Sequence, residues 1–471
     1  MKKLITLILA LALAASLFVG CGEKTPEVPD NDPVTTPTDA PDPTDAPDPT
    51  DAPETNDPTV APTEDQTTDE TPEDETVSKP QNNPHTNENA LITELHRVIV
   101  DGGCVLSVPQ INLDSTDAKR INKEIAEYCT PYAEKVMENG FSDTFIYWKL
   151  EHSGNDCYAL IIDMYWEQGD SRDHVIYNFN AKTGKELTNA EILKMAGLTQ
   201  DAFDDLVRTR VKEEIRKTYS GIPIPQEEFN GLLKWSLAPT PCEQWEGPQV
   251  YINSNNELYV NWLMATVAGA GQIEDYLFLK DVGSKLVTEY VDNNRDWCYG
   301  FNIPQLNFDS ADADRINKEI WEKYCIYLDV VSDDGDTDYF VDMAGLNWNL
   351  ERNGDIISLR IVEYTIYDVK YFVVYNFNVK TGKEVTDAEI IALAGLTEGE
   401  FMELAKKRAD EVYCEIHWGH IDPREREENL TYDRAAKIRG VYLSTNNELC
   451  MVRNILMAGP DAGMPQLIVV K

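Results

Sequence analysis

The sequence predicts an α+β fold: two tandem homologous domains, each a mostly antiparallel sheet packed with helices, set after a disordered linker. Three observations predict it. Val108–Ile125 returns as Ile303–Ile320 and Tyr177–Leu187 returns as Tyr375–Val385, so one domain is written twice, 195 to 198 residues apart. A period of that length belongs to a self-sufficient folding unit rather than to a solenoid repeat. Within each copy, short β-branched and aromatic runs bounded by Gly and Asp are followed by grouped helical stretches, the order expected of α+β rather than of βαβ units. Before the copies, residues 22–95 are largely Thr, Pro, Asp and Glu, a composition that cannot build a core.

Taken in order, Lys2 and Lys3 precede an apolar run from Leu4 to Val19 that is short for a bilayer span and ends in Phe18-Val19-Gly20-Cys21. Residues 1–21 resemble a bacterial lipoprotein signal peptide. That resemblance implies a protein exported and lipid-anchored at Cys21 to the outer face of a bacterial cell membrane, touching the membrane through the lipid alone. In the linker, the hexad Pro-Thr-Asp-Ala-Pro-Asp starts at Pro37 and at Pro43 and begins again at Pro49. It carries 20 acidic against 2 basic residues, so proline stiffness and charge repulsion extend it into a tether. Its reach is roughly 200 Å at most.

The first domain is assigned to 96–285 and the second to 286–471, each read as a strand, a helix, about three strands, two helices and a closing hairpin. Asp114 and Ser115 stand where a helix N-cap belongs, and Ala118, Ile121, Ile125 and Tyr132 then recur near helical spacing. Trp148–Leu150, Ala159–Tyr165 and Val175–Phe179 read as strands, and Lys182-Thr183-Gly184 turns the chain. Thr188 and Glu191 form a capping box, with Leu187 and Ile192 as its hydrophobic staple; Thr386, Glu389, Val385 and Ile390 repeat it. Gly197 and Gly395 stop these helices, and longer ones follow over about 201–219 and 399–416. Val250–Leu258 and Val441–Leu449 each carry an Asn-Asn-Glu turn that starts the hairpin.

These segments carry a resemblance. The Val108-Pro109-Gln110-Ile111 strand, the helix opening at Asp114-Ser115, and the Asn-Phe-Asn-x-Lys-Thr-Gly-Lys-Glu run from Asn178 are similar to the paired extracellular domains of lysozyme-sensing anti-sigma factors of the RsiV type. The same module precedes the catalytic domain of PdaC-like peptidoglycan deacetylases. The likeness covers most of 100–280 and of 298–471. It implies recognition of a cell-wall glycan or of a basic wall-active protein such as lysozyme. Near the place where that family often carries a Gly-Ala-His-like stretch, this chain has Ser171–His174 and Asp368–Tyr371, so contacts made there do not carry over.

Catalytic patterns are incomplete. Lys182–Gly184 and Lys380–Gly382 match one β-lactamase motif without its Ser-x-x-Lys partner, and a turn accounts for both. Ser332–Gly335 includes an Asp-Asp-Gly without a following His-x-x-x-His, and Asp334, Asp336, Asp338 and Asp342 lack the Gly and Glu of a calcium loop. His417 and His420 have no counterpart in the first copy, which leaves a solvated loop ahead of a zinc site. Glu151 and Glu351 recur in both copies, and a carboxylate pair is what glycoside hydrolysis requires, but one paired position per copy gives no geometry, and they read as surface acids. No cofactor is expected. The excess of 83 acidic over 41 basic residues repels phosphate backbones, so nucleic acid is not an expected partner.

Eight cysteines remain beyond Cys21, and export permits disulfides. Cys104 with Cys129 and Cys298 with Cys325 are the matched pairs; reduced buried thiols are the other possibility, and the thiol reading is the stronger for Cys157, Cys242, Cys414 and Cys450. Trp148 and Trp348 coincide and are assigned to the cores, as are the unshared Trp235, Trp245, Trp297 and Trp418, which otherwise suit sugar stacking. Together these readings predict a surface lipoprotein whose domains bind an envelope ligand without catalysis; a structural envelope component and a wall-glycan enzyme are the alternatives.

Overall fold

Two periodicities, two residues in the strands and 3.6 in the helices, sort each repeat's apolar side chains onto faces that meet in the computed structural model. The chain divides into units 1–74 and 75–471. The described residues all lie in the second: 81–82, 87–100, 103–139, 144–166, 171–221, 223–237, 248–265, 272–293, 301–326, 343–365, 370–416, 423–424, 426–427, 438–456 and 463–471. The expected signal peptide, Cys21 and most of the linker fall outside them.

In the first repeat β1 (Gln81–Asn82), β2 (Ile92–Val100) and β3 (Gly103–Ile111) lead to α1 (Thr116–Asn139). Then come β4 (Thr144–Gly154), β5 (Cys157–Trp166) and β6 (Ser171–Asn180), the helices α2 (Asn189–Met195), α3 (Gln200–Thr218) and α4 (Gln226–Ser236), and the strands β7 (Val250–Ile252), β8 (Glu257–Ala265) and β9 (Gln272–Asp281). The second repeat runs β10 (Val287–Asn293), β11 (Phe301–Leu306), α5 (Ala311–Tyr324), β12 (Met343–Asn353), β13 (Ile356–Thr365), β14 (Lys370–Asn378) and β15 (Lys383–Glu384). It continues with α6 (Asp387–Leu393), α7 (Glu398–Ile416), β16 (Ile438–Leu443), β17 (Leu449–Leu456) and β18 (Gly463–Val469). Each repeat thus holds a six-stranded sheet, in order β1 to β6 or β10 to β15, and a three-stranded meander. Pairing is antiparallel except where α1 and α5 cross over, between β3 and β4 and between β11 and β12. The fold is α+β, as the sequence predicts.

Helix α1 buries Ala118, Ile121, Ile125, Cys129, Ala133 and Val136 along one stripe against Leu106, Val108, Ile146, Leu160 and Ile162 of the sheet. Full burial of Ile121 or Ile125 stabilises by about 2 kcal/mol. The opposite face of β5 and β6 turns Ile161 and Ile176 to Tyr251 of the meander, so β5 is covered on both sides and its apolar run is continuous rather than alternating. Helices α2 to α4 pack on the outer face of β7 to β9 as a second core.

The sequence segments that repeat best lock onto each other. Ser115 caps α1 by accepting from the amide of Ala118 at 3.0 Å, and donates its hydroxyl to the Gly184 carbonyl at 2.7 Å. Asp117 accepts from the Glu186 amide at 2.9 Å, and Arg120 pairs with the Glu186 carboxylate. Asp312, Arg315 and Glu384 reproduce this in the second repeat. Both capping boxes form, at Thr188 with Glu191 and at Thr386 with Glu389. Lys182-Thr183-Gly184 is a turn, its amides held by the Asn180 side chain.

Three expectations are corrected. The linker does not run to 95: Ala90 and Ile92 are buried and β2 starts at Ile92, because pairing with β3 and a 2.5 Å hydrogen bond from Ser107 satisfy Glu94 inside the fold. Not one strand but three precede α1 and two precede α5, and a third strand turns the closing hairpin into a meander. Cys129 and Cys325 are free thiols in the structure, so neither matched disulfide is formed in it. Cys129 follows Ile125 by one helical turn and faces the core, where burial pushes its thiol up to about 12. Cys104 lies on β3 with its side chain outside the described residues, as does Cys298 altogether. Cys157, Cys414 and Cys450 are free as well, in line with the thiol reading, and Cys242 lies outside the described residues.

Candidate functional site

The two repeats meet through their Asn-Asn-Glu turns. Each turn tightens on a residue in the left-handed region, Asn256 at φ 60° and Asn447 at φ 61°. The preceding asparagine then reaches into the other repeat. Asn255 accepts from the amides of Leu286 and Val287 at 2.9 and 2.8 Å and donates to the Val287 carbonyl at 3.0 Å. Asn446 accepts from the Ile92 amide at 2.6 Å and donates back to the Ile92 carbonyl at 2.9 Å. The turn of each repeat therefore clasps the start of a strand of the other, β10 by Asn255 and β2 by Asn446, the reciprocal contact pattern of a two-fold dimer.

Glu151 and Glu351 explain why the turns stand where they do. They are braces rather than surface acids: Glu151 accepts from the Ser254 amide and hydroxyl at 2.9 and 2.7 Å, and Glu351 does the same for Thr445 at the same distances. Burial raises the Glu151 carboxyl, against Lys149 and the two Ser254 bonds, and the nearby Glu351 adds to the rise. The balancing cation differs between repeats. Arg360 on β13 pairs with Glu351 at 2.8 Å, where the first repeat has Ile161 and uses Lys149 on β4. Beside them His152 contacts the Arg352 carbonyl through Nδ1 at 3.3 Å, and the Arg352 guanidinium donates to Asn256 at 3.2 Å. Burial drives His152 down to about 4, so it is neutral at ordinary pH.

Two sides of the junction differ. On one, Lys285 pairs with Glu257 at 2.6 Å and Trp348 donates to Glu289 at 2.8 Å, around a cleft of about 710 Å³. On the other, Ala90 takes the place of Lys285 and Trp148 donates to Ser107 at 2.7 Å. Burial there pushes Glu448 up to about 7, against its bond with Asn446 and with help from Glu94 and Glu351. Trp148 and Trp348 pack against the sheet cores but are half-buried.

A second polar cluster occurs in the first repeat alone. His174 Nδ1 lies 2.6 Å from Asp163, the Tyr276 hydroxyl donates to Asp163, and Lys149 sits 4.8 Å over the Tyr276 ring. Burial works to raise Asp163, but bonds from His174 and Tyr276 hold it below its ordinary value. Val362, Phe372 and Leu467 stand at these positions in the second repeat. No nucleophile accompanies the cluster among these residues, and apolar replacement in the other copy marks it as packing between sheet and meander. This is the part of Ser171–His174 that the resemblance left open.

Asp334 to Asp342, Ser332, Trp245, Trp297, Trp418, His417 and His420 lie outside the described residues, as does the Trp235 side chain. Among the described residues no group of three or more His, Cys, Asp or Glu is placed to hold a metal ion. Sequence reasoning missed the clasp asparagines, although their recurrence in both Asn-Asn-Glu turns was the signal. No protein-family model matches the chain, and no curated protein gives a significant match.

Proposed function

We propose that this chain is an exported, lipid-anchored, non-catalytic binding protein for a cell-envelope ligand, wall glycan first. One observation carries the reading: Glu151 and Glu351, the recurring carboxylates that a glycosidase would need free, are spent on bracing the clasps, while the junction so formed opens a polar cleft edged by a tryptophan. Retained acid–base pairs would support an enzyme; braces support a scaffold for recognition. The resemblance to domains of lysozyme-sensing and peptidoglycan-modifying proteins supports the envelope as the setting, and Cys21 supplies the anchor.

A basic muramidase such as lysozyme is the second reading, favoured by the excess of 83 acidic over 41 basic residues. The test is sedimentation of the protein with purified wall sacculi, alongside titration with lysozyme and with an unrelated basic protein of similar size. Saturable binding to sacculi supports glycan recognition. Lysozyme binding that exceeds the control, and weakens toward physiological salt where screening falls to about 8 Å, supports the muramidase. Binding to neither overturns both.

A further inference from the structure

The cleft on the Lys285 side of the junction is built from both repeats: Glu257 and Tyr259 from the first, Glu289 and Trp348 from the second, and Asp281 and Lys285 from the segment joining them. Its volume, about 710 Å³, falls within the range of small-ligand sites. The polar groups are fixed in place. Glu257 accepts from the Asn253 side chain at 2.8 Å and from the Tyr259 hydroxyl at 3.3 Å, besides its pairing with Lys285. Lys285 is further held by Asp281 at 3.5 Å. Trp348 packs on the second-repeat core, and its N–H bond to Glu289 fixes the turn of the indole. Groups already ordered lose little entropy when a ligand arrives.

The chemistry of the wall restricts the ligand. Three carboxylates against one ammonium repel phosphates and other anions, and the polar rim is a poor match for a purely apolar molecule. An indole beside carboxylates suits a molecule with an apolar ring face and an edge of hydroxyls and amines. We propose that this cleft binds an amino-sugar oligosaccharide, its ring face against Trp348 and its hydroxyls and nitrogen on Glu257 and Glu289. The proposal rests on the glycan reading given above and assigns it to one place. It applies to one side of the junction, since Trp148 bonds to Ser107 and Ala90 replaces Lys285 on the other.

The test is calorimetric titration of the intact protein with tetramers of N-acetylglucosamine and of glucosamine, compared with Trp348→Ala, Glu289→Gln and Trp148→Ala. Saturable binding of one tetramer per chain is expected, tighter for the free amine, with at least a roughly tenfold loss in Trp348→Ala and little change in Trp148→Ala. Glu289→Gln keeps an acceptor for the indole and should erase the preference for the amine; it serves if Trp348→Ala does not fold, as judged by its circular dichroism. Equal losses from Trp348→Ala and Trp148→Ala overturn the site. Failure of both tetramers while sacculi still bind overturns the site and leaves the glycan reading standing; failure of sacculi as well overturns both.

Discussion

Ionising Glu448 puts a charge beside Glu94 and Glu351 on the second clasp, and burial first, then those neighbours, raise its carboxyl from an ordinary 4.5 to about 7. Between those values the folded chain keeps a proton that the unfolded chain has released. Stability therefore falls as pH rises through this window, by an amount on the order of 3 kcal/mol. His152 acts in the opposite sense: burial lowers it from 6.5 to about 4, so the unfolded chain binds the extra proton and stability rises with pH between them. The two trends offset in the intact protein. The informative quantity is the difference in thermal midpoint between the protein and Glu448→Gln, which should favour the parent at about pH 5 and shrink or reverse by about pH 7.5. A difference that does not move with pH would show that Glu448 is not the titrating acid. Gly184 offers a simpler test. It sits at φ +64°, and a Cβ there would meet the Ser115 hydroxyl at 2.5 Å, whereas at Gly382 the nearest atom is Ser310 Cβ at 3.1 Å. Gly184→Ala should cost on the order of 2 kcal/mol in urea unfolding and Gly382→Ala less; the reverse order would contradict the lock between turn and helix.

Short helices depend on their ends, and α2 has seven residues with Ile192 and Leu193 as its buried pair. Thr188→Ala should therefore lose about 1 kcal/mol of stability, and Thr188→Ser most of that loss should recover. Hydrogen exchange of the Glu191 amide checks it, since that amide is the one Thr188 holds at 3.3 Å. Such caps were legible because every residue they need lies within four positions of sequence, and the Gly197 and Gly395 stops were legible for the same reason. Strand β9 was not: Leu277 and Leu279 alternate inward, but Gln272–Asp275 ahead of them lack the pattern. Glu151 and Glu351 were visible as a recurring pair, yet their role depends on Ser254 and Thr445, about a hundred residues further along. The clasp was hidden more deeply, because Asn446 and Ile92 are 354 positions apart and no local pattern links them.

Reciprocal clasping should make the duplicated chain behave as one thermodynamic body although it holds two sets of cores. Each repeat can bury its own apolar faces, in clusters that do not cross the junction. Left to these cores alone, two repeats of different sequence would unfold at different temperatures. What couples them is polar: the Asn255 and Asn446 bonds, the His152 contact with the Arg352 carbonyl, and the Arg352 bond to Asn256. Removing a buried amide that serves two or three backbone groups leaves those groups unsatisfied, at about 1 to 3 kcal/mol for each group. Either clasp alone still joins the repeats, so Asn255→Ala or Asn446→Ala should lower the midpoint while keeping one calorimetric transition. The double variant should split it into two, with a van't Hoff enthalpy for each well below the calorimetric total. If the double variant still melts in one transition, the apolar packing rather than the clasps joins the repeats; if the parent already melts in two, the repeats are independent and the junction cleft has no fixed shape with which to select a ligand.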